Sequence, residues 1–102
     1  MHVVEIFLPL NGKDKRRFGP DRYARVREEL VERFGGLTAF TRAPAEGLWE
    51  AEEGQRARDE IVIFEVMAEA LDRGWWSGYR HELELRFEQD EIVIRAHAAE
   101  RL

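Results

Sequence analysis

Cysteine is absent from the 102-residue sequence, which excludes disulfides, thiolate metal ligands and a cysteine nucleophile. The histidines, His2, His81 and His97, are scattered without the HxH or HExxH spacing of a metal site, so we predict no metal. Ser77 is the only serine and has no GxSxG context, which argues against a serine nucleophile. The chain also lacks a glycine-rich dinucleotide motif, and we predict no cofactor.

Long apolar runs and an excess of positive charge are missing as well. No segment approaches the roughly 20 apolar residues of a membrane span, and no basic stretch precedes an apolar one at the N-terminus. We therefore expect a cytoplasmic protein with no membrane partner. The net charge of −5 argues against a nucleic-acid partner, because such binding neutralises phosphates with excess cations. With 44% hydrophobic and 36% charged residues, the length predicts one globular domain spanning residues 1–102.

What the sequence does contain is a succession of strand and helix patterns. Apolar alternation and apolar runs predict strands at Val3–Leu10, Leu37–Arg42, Asp59–Met67 and Glu91–Ala96. Helical spacing predicts a first helix from Gly19-Pro20-Asp21 to Phe34 and a second one from the cap Asp72 to Phe87. This order is the ferredoxin-like βαββαβ arrangement of the α+β class. Right-handed crossovers place both helices on one face of a four-stranded antiparallel sheet, with the first and third strands central.

The stretch from Gly35 to Trp49 carries the most specific local signals. Gly35 is predicted to end the first helix, because glycine takes the left-handed conformation without steric cost. Pro44 has no amide hydrogen to donate, so Pro44–Gly47 is predicted as a turn or bulge. Trp49 then either closes an edge of the core or lines a pocket. The polar segment Glu50–Arg58 that follows is predicted as a long hairpin or a flexible excursion.

The first helix has an apolar side and a charged side. Its apolar positions at helical spacing are Tyr23, Val26, Leu30 and Phe34. On the charged side, Glu29 and Arg33 have the i to i+4 spacing of an ion pair, which contributes about 0.2–0.5 kcal/mol. This pattern is typical of a helix that packs on a core rather than one that holds a cofactor.

The face of the sheet without helices is where a function is predicted. Strand alternation assigns to this helix-free face the residues Glu5, Phe7, Phe40, Arg42, Ile61, Ile63, Glu65, Val93, Arg95 and His97. A small monomer rarely exposes so much apolar surface, so we expect something to cover it. A second copy of the same sheet is the simplest cover and predicts a homodimer through this face. The face could instead wall a ligand cavity between the two subunits.

The charged residues of this face allow two interpretations. In the first interpretation, they form cross-strand ion pairs, Glu5 with Arg95 and Glu65 with Arg42. In the second interpretation, His97 forms an acid–base pair with Glu65 or Glu5 in a closed cavity. His97 and Glu65 are then the catalytic candidates. The candidate ligand-binding residues are Phe7, Phe40, Arg42 and Trp49.

Three short motifs carry a resemblance to known proteins. Gly36-Leu37-Thr38, Gly47-Leu48-Trp49 and Arg86-Phe87 with Gln89 resemble a family of short bacterial proteins of unknown function, over the region from Val3 to Arg95. That family implies no established activity. The order of elements also resembles the dimeric α+β barrels, which include cofactor-independent monooxygenases, isomerases of small aromatic compounds and haem-handling proteins.

Two function hypotheses follow from the residues and the resemblance together. The first is a homodimeric domain that binds a small organic molecule or serves as an assembly module. The second is a cofactor-independent enzyme of the dimeric barrel type, similar to the monooxygenases or isomerases. No haem-ligand motif surrounds His81 or His97, and the sequence leaves open whether the protein is an enzyme.

Overall fold

The computed structural model describes residues 1–42 and 61–102. Its elements are β1 (His2–Pro9), α1 (Pro20–Phe34), β2 (Thr38–Arg42), β3 (Ile61–Ala68), α2 (Arg73–Arg86) and β4 (Ile94–Ala98). The strands form one antiparallel sheet in the order β2-β3-β1-β4. This is the predicted ferredoxin-like α+β fold, with β1 and β3 central and both helices on one face.

The helix ends follow the local signals in the sequence. Gly35 has a φ angle of 81°, and its N–H donates to the Val31 carbonyl oxygen at 2.7 Å, which ends α1 in a left-handed cap. At the start of α2, the Asp72 carboxylate accepts a hydrogen bond from the Trp75 N–H at 3.0 Å. Both predicted caps are confirmed. In the part of the chain that the structure describes, neither helix combines the length and hydropathy of a membrane span.

The core lies between the helices and one face of the sheet. Its buried residues are Val4, Ile6, Leu8, Val26, Leu30, Phe64, Val66, Trp76, Tyr79, Leu83, Phe87 and Ile92. Phe87 joins the end of α2 to α1 and the loop before it, since its ring contacts Phe18 edge-on and Tyr23 at a tilt, both at 5.4 Å between centroids. The Tyr23 hydroxyl donates to the Pro9 carbonyl oxygen at 2.5 Å, which ties α1 to the end of β1.

Two predictions at the sheet edges are wrong. The last strand begins at Ile94 rather than Glu91, because the Ile92 N–H donates to the Glu84 carboxylate at 3.0 Å instead of joining a strand ladder. Ala39 is exposed, although alternation placed it under the helices, because β2 is an edge strand of the sheet. The predicted turn Pro44–Gly47 and hairpin Glu50–Arg58 lie outside the described residues.

Candidate functional site

The strand register arranges the helix-free face in three rows. The middle row is polar and runs from Thr38 through Glu65 and Glu5 to Arg95. On one side of it lies an apolar row with Ile63 and Phe7, continued by Val93, whose carbonyl oxygen accepts from the Phe7 N–H at 3.0 Å. On the other side lie Met67, Val3 and His97. The face is therefore apolar with one band of charge across its middle.

An ion pair between Glu5 and Arg95 occupies the centre of that band. Arg95 Nε donates to Glu5 Oε1 at 2.8 Å, so this predicted cross-strand pair is confirmed. The Arg95 guanidinium also lies 4.8 Å from the centroid of the Phe7 ring, which is half-buried. The Glu5 side chain is 17% exposed and that of Arg95 is 63% exposed. Phe7 and Arg95 therefore lie together on the helix-free face.

Glu65 is a carboxylate of this face that has no partner among the described residues. It stands directly opposite Glu5, is half-buried, and receives no hydrogen bond or ion pair from the described residues. Its predicted partner Arg42 pairs with Ile61, four positions along β3. Four positions are about 13 Å along a strand, well beyond the distance of cross-strand neighbours. The register therefore does not make Glu65 and Arg42 a cross-strand pair, contrary to the prediction.

His97 and Glu65 are on the same face but are not neighbours. Glu65 is level with Glu5, His97 is level with Val3, and β1 separates their strands. Strand spacing and rise put their Cα atoms about 12 Å apart. Glu5 is a diagonal neighbour of His97, yet its carboxylate is bound to Arg95. The described residues thus hold no assembled acid–base pair, and a catalytic role for either residue stays a prediction.

The remaining ligand-binding candidates are only partly placed. Phe40 and Arg42 lie in β2, where they pair with Ile63 and Ile61, and their side chains are outside the described ones. Trp49 lies outside the described residues altogether. Phe7 is therefore the ligand-binding candidate whose side-chain position the structure describes.

Sequence reasoning missed an ion-pair cluster between the two helices. Arg86 binds Glu29 in a bidentate manner, with Nη1 to Oε1 at 2.6 Å and Nη2 to Oε2 at 2.8 Å, and Nη2 also donates to Glu82 at 2.8 Å. The Tyr79 hydroxyl donates to Glu29 Oε1 at 2.9 Å. Hydrogen bonding to Arg86 lowers the pKa of Glu29, and burial raises the pKa of Tyr79. Each of the four side chains has at least one partner in the cluster, and the bonds to Glu29 hold α1 against α2.

The predicted ion pair between Glu29 and Arg33 is wrong. Glu29 faces α2, while the Arg33 guanidinium lies 4.0 Å from the centroid of the Trp75 ring. Local spacing could not reveal the true partner, since Glu29 and Arg86 are 57 positions apart. Throughout residues 1–42 and 61–102, no three histidine, aspartate or glutamate side chains converge as a metal site.

The fold has counterparts among solved structures. A phage SAM lyase in complex with S-methyl-5′-thioadenosine aligns with a TM-score of 0.56 and 19% identity, over 94% of this chain and 79% of the lyase chain. The phage SAM lyase in its apo state aligns with a TM-score of 0.55 and 18% identity, over 94% and 78% of the two chains. No family model and no curated protein matches the chain. At these identities the likeness is one of fold.

Proposed function

We propose that the protein is a homodimeric ferredoxin-like domain that binds a small organic molecule at its helix-free face. The observation that carries the proposal is the apolar character of a face that neither α1 nor α2 covers. Val3 and Ile63 are only 8% and 4% exposed there, whereas Met67 remains 54% and Val93 50% exposed. A large contiguous apolar patch on a small domain marks an interaction site, which supports the proposal.

The size of the face suits a second copy of the chain. The four strands, about 4.8 Å apart and rising about 3.3 Å per residue, present on the order of 500 Å². Two such faces bury on the order of 1,000 Å², which is about the lower limit for a specific interface. A symmetric pairing of this face with itself is the simplest way to cover it.

The chemistry of the face suits a flat ligand with an aromatic ring. Phe7 under the Arg95 guanidinium provides a stacking layer, and Glu5 and Glu65 provide hydrogen-bond acceptors beside it. Mostly apolar walls with a few polar groups are typical of small-molecule sites. One structural neighbour holds S-methyl-5′-thioadenosine, which combines an aromatic base, hydroxyl groups and an apolar thioether. This compound is therefore the first probe to use.

The enzyme hypothesis receives less support from the described residues. A general base must be within hydrogen-bond reach of the proton that it abstracts, and a base–acid pair works through such contacts. His97 and Glu65 are about 12 Å apart by strand spacing, so one subunit does not join them. Binding without chemistry is the better supported function.

Native mass spectrometry of the purified protein, alone and with added S-methyl-5′-thioadenosine, tests the proposal. We expect a dimer that carries a co-purified mass or takes up the probe. Phe7→Ala should reduce uptake at least about tenfold, because the Arg95 guanidinium loses the ring that positions it for stacking, and a stacking contact to a base contributes about 1–3 kcal/mol. Val31→Ala is the control, because Val31 is 42% exposed on α1 and away from the sheet. A monomeric protein would overturn the proposed dimer. A dimer that binds no small molecule would overturn ligand binding and would favour the role of an assembly module.

A further inference from the structure

Among the residues that the structure describes, the charge band of the helix-free face carries more acidic than basic groups around Glu65. Glu5 and Glu65 are directly opposite each other, and like charges in that arrangement are destabilising. Arg95 neutralises Glu5 through its Nε atom. No described residue supplies a cation to Glu65.

Covering the face makes this imbalance costly. Glu65 is already half-buried, and a second sheet placed over it would remove the remaining water. A carboxylate taken out of water is strongly destabilising unless the covering surface brings a matching charge. A partner that covers this face must therefore present a cation opposite Glu65.

The same face of a second copy presents such a cation. Arg95 uses Nε for Glu5, and its side chain is 63% exposed, so its two terminal nitrogens remain available at the surface. A planar guanidinium can bind one carboxylate through Nε and a second through its outer edge. We propose that in the dimer Arg95 of each subunit binds Glu65 of the other, so that charge complementarity selects a second copy as the occupant of this face.

Symmetry doubles the effect of this contact. In a two-fold dimer the same contact occurs twice, so each dimer contains two Arg95–Glu65 pairs between subunits. The inference rests on the dimer of the proposed function and adds to it the residues that specify the partner.

A charge exchange tests the contact directly. Glu65→Arg alone and Arg95→Glu alone should each weaken dimerisation by on the order of 100-fold or more in Kd, because truncated or reversed interface charge pairs cost that much. The double variant Glu65→Arg/Arg95→Glu should regain most of the affinity. Glu5 pairs across the sheet with both positions, so the exchange also keeps a cation beside Glu5.

Mixing the two single variants gives the sharpest readout. At positions 65 and 95, the Glu65→Arg variant carries only arginines and the Arg95→Glu variant only glutamates. We expect native mass spectra of the mixture to show heterodimers at concentrations where each variant alone is monomeric. Glu28→Arg is the matched control, since it makes the same charge change at an exposed position of α1. It should leave the Kd within about twofold of the wild type.

The outcomes separate the contact from the dimer itself. A monomeric wild type would overturn both this inference and the dimer of the proposed function. A wild-type dimer whose Kd is unchanged by the single variants, or a mixture without heterodimers, would overturn the contact and leave the dimer standing. Glu65→Gln, which keeps the shape of the side chain, should weaken the dimer in the same direction and excludes misfolding as the cause.

Discussion

Replacing Arg86 by methionine removes the guanidinium that joins α1 to α2 while keeping an unbranched, helix-compatible side chain. The change deletes the bidentate pair with Glu29 and the hydrogen bond to Glu82. It leaves Glu29 with the Tyr79 hydroxyl and with Arg25, whose Nε is 3.7 Å away. The donation from Arg22 to the Arg86 carbonyl oxygen is a backbone contact and survives the change.

The expected loss in the free energy of unfolding lies between the values for exposed and for buried ion pairs. The Arg86 side chain is 15% exposed and that of Glu29 is 33% exposed. Exposed pairs contribute about 0.2–1 kcal/mol, and breaking a buried pair costs about 3–5 kcal/mol. We therefore expect the free energy of unfolding to fall by about 2 kcal/mol, and the melting temperature to fall by roughly 8–16 °C for a domain of this size.

Urea denaturation followed by tryptophan fluorescence measures the loss, because Trp75 stacks on Tyr79 at 4.8 Å beside the cluster. A double-mutant cycle of Arg86→Met with Glu29→Gln should show a coupling of about 1–2 kcal/mol. The control is Arg80→Met, since Arg80 is 44% exposed and reaches Glu84 only at 3.5 Å; we expect a loss below about 0.5 kcal/mol. A coupling between Arg86 and Glu29 below about 0.5 kcal/mol, the range of an exposed pair, would refute the idea that this pair holds the helices together.

The pH dependence of the same pair has a defined sign. Arg86 lowers the pKa of Glu29 in the folded state, so the pair stabilises the fold fully at pH values above the unfolded pKa of about 4.3. This contribution is lost as the pH falls through the lowered pKa. The stability difference between the wild type and Arg86→Met should therefore be constant near neutral pH and shrink below about pH 4.

Three further substitutions, one of them with a matched control, test local features of the fold by urea denaturation. Glu84→Ala should lower stability by about 1–3 kcal/mol, since it leaves the N–H of Ile92 without its acceptor at a residue only 2% exposed. Gly35→Ala should cost about 1 kcal/mol because alanine is strained at a φ of 81°, whereas Gly36→Ala, with open space around it and no positive φ, should be nearly neutral. Asp72→Ala should cost about 1 kcal/mol through the lost cap, and a loss below about 0.3 kcal/mol would contradict that role.

Local signals accounted for most of the fold. Gly35, Asp72 and the alternation of β1 specify where a helix ends, where another begins and which side chains share a face, and each of these depends on residues a few positions apart. The order of elements then left few topologies, because right-handed crossovers restrict how the strands are arranged.

The candidate site was predicted less completely, for a physical reason. Alternation placed Glu5, Glu65 and His97 on one face, but a face has no register until its strands pair. The register paired Glu5 with Arg95 and kept His97 away from Glu65. A shift of two positions would have preserved the alternation and changed every neighbour.

The sequence by itself therefore determined the elements, their order and the side of the sheet that remains without helices, since these depend on backbone conformation and hydrophobic periodicity. Only the tertiary structure decided which charges meet. Arg86 binds Glu29 on α1 as well as Glu82 on its own helix. Glu65 stands opposite Glu5 and receives no cation from the described residues. Such contacts depend on distances between segments far apart in the chain. Packing of the two helices and pairing of the strands set those distances, and no local pattern encodes them.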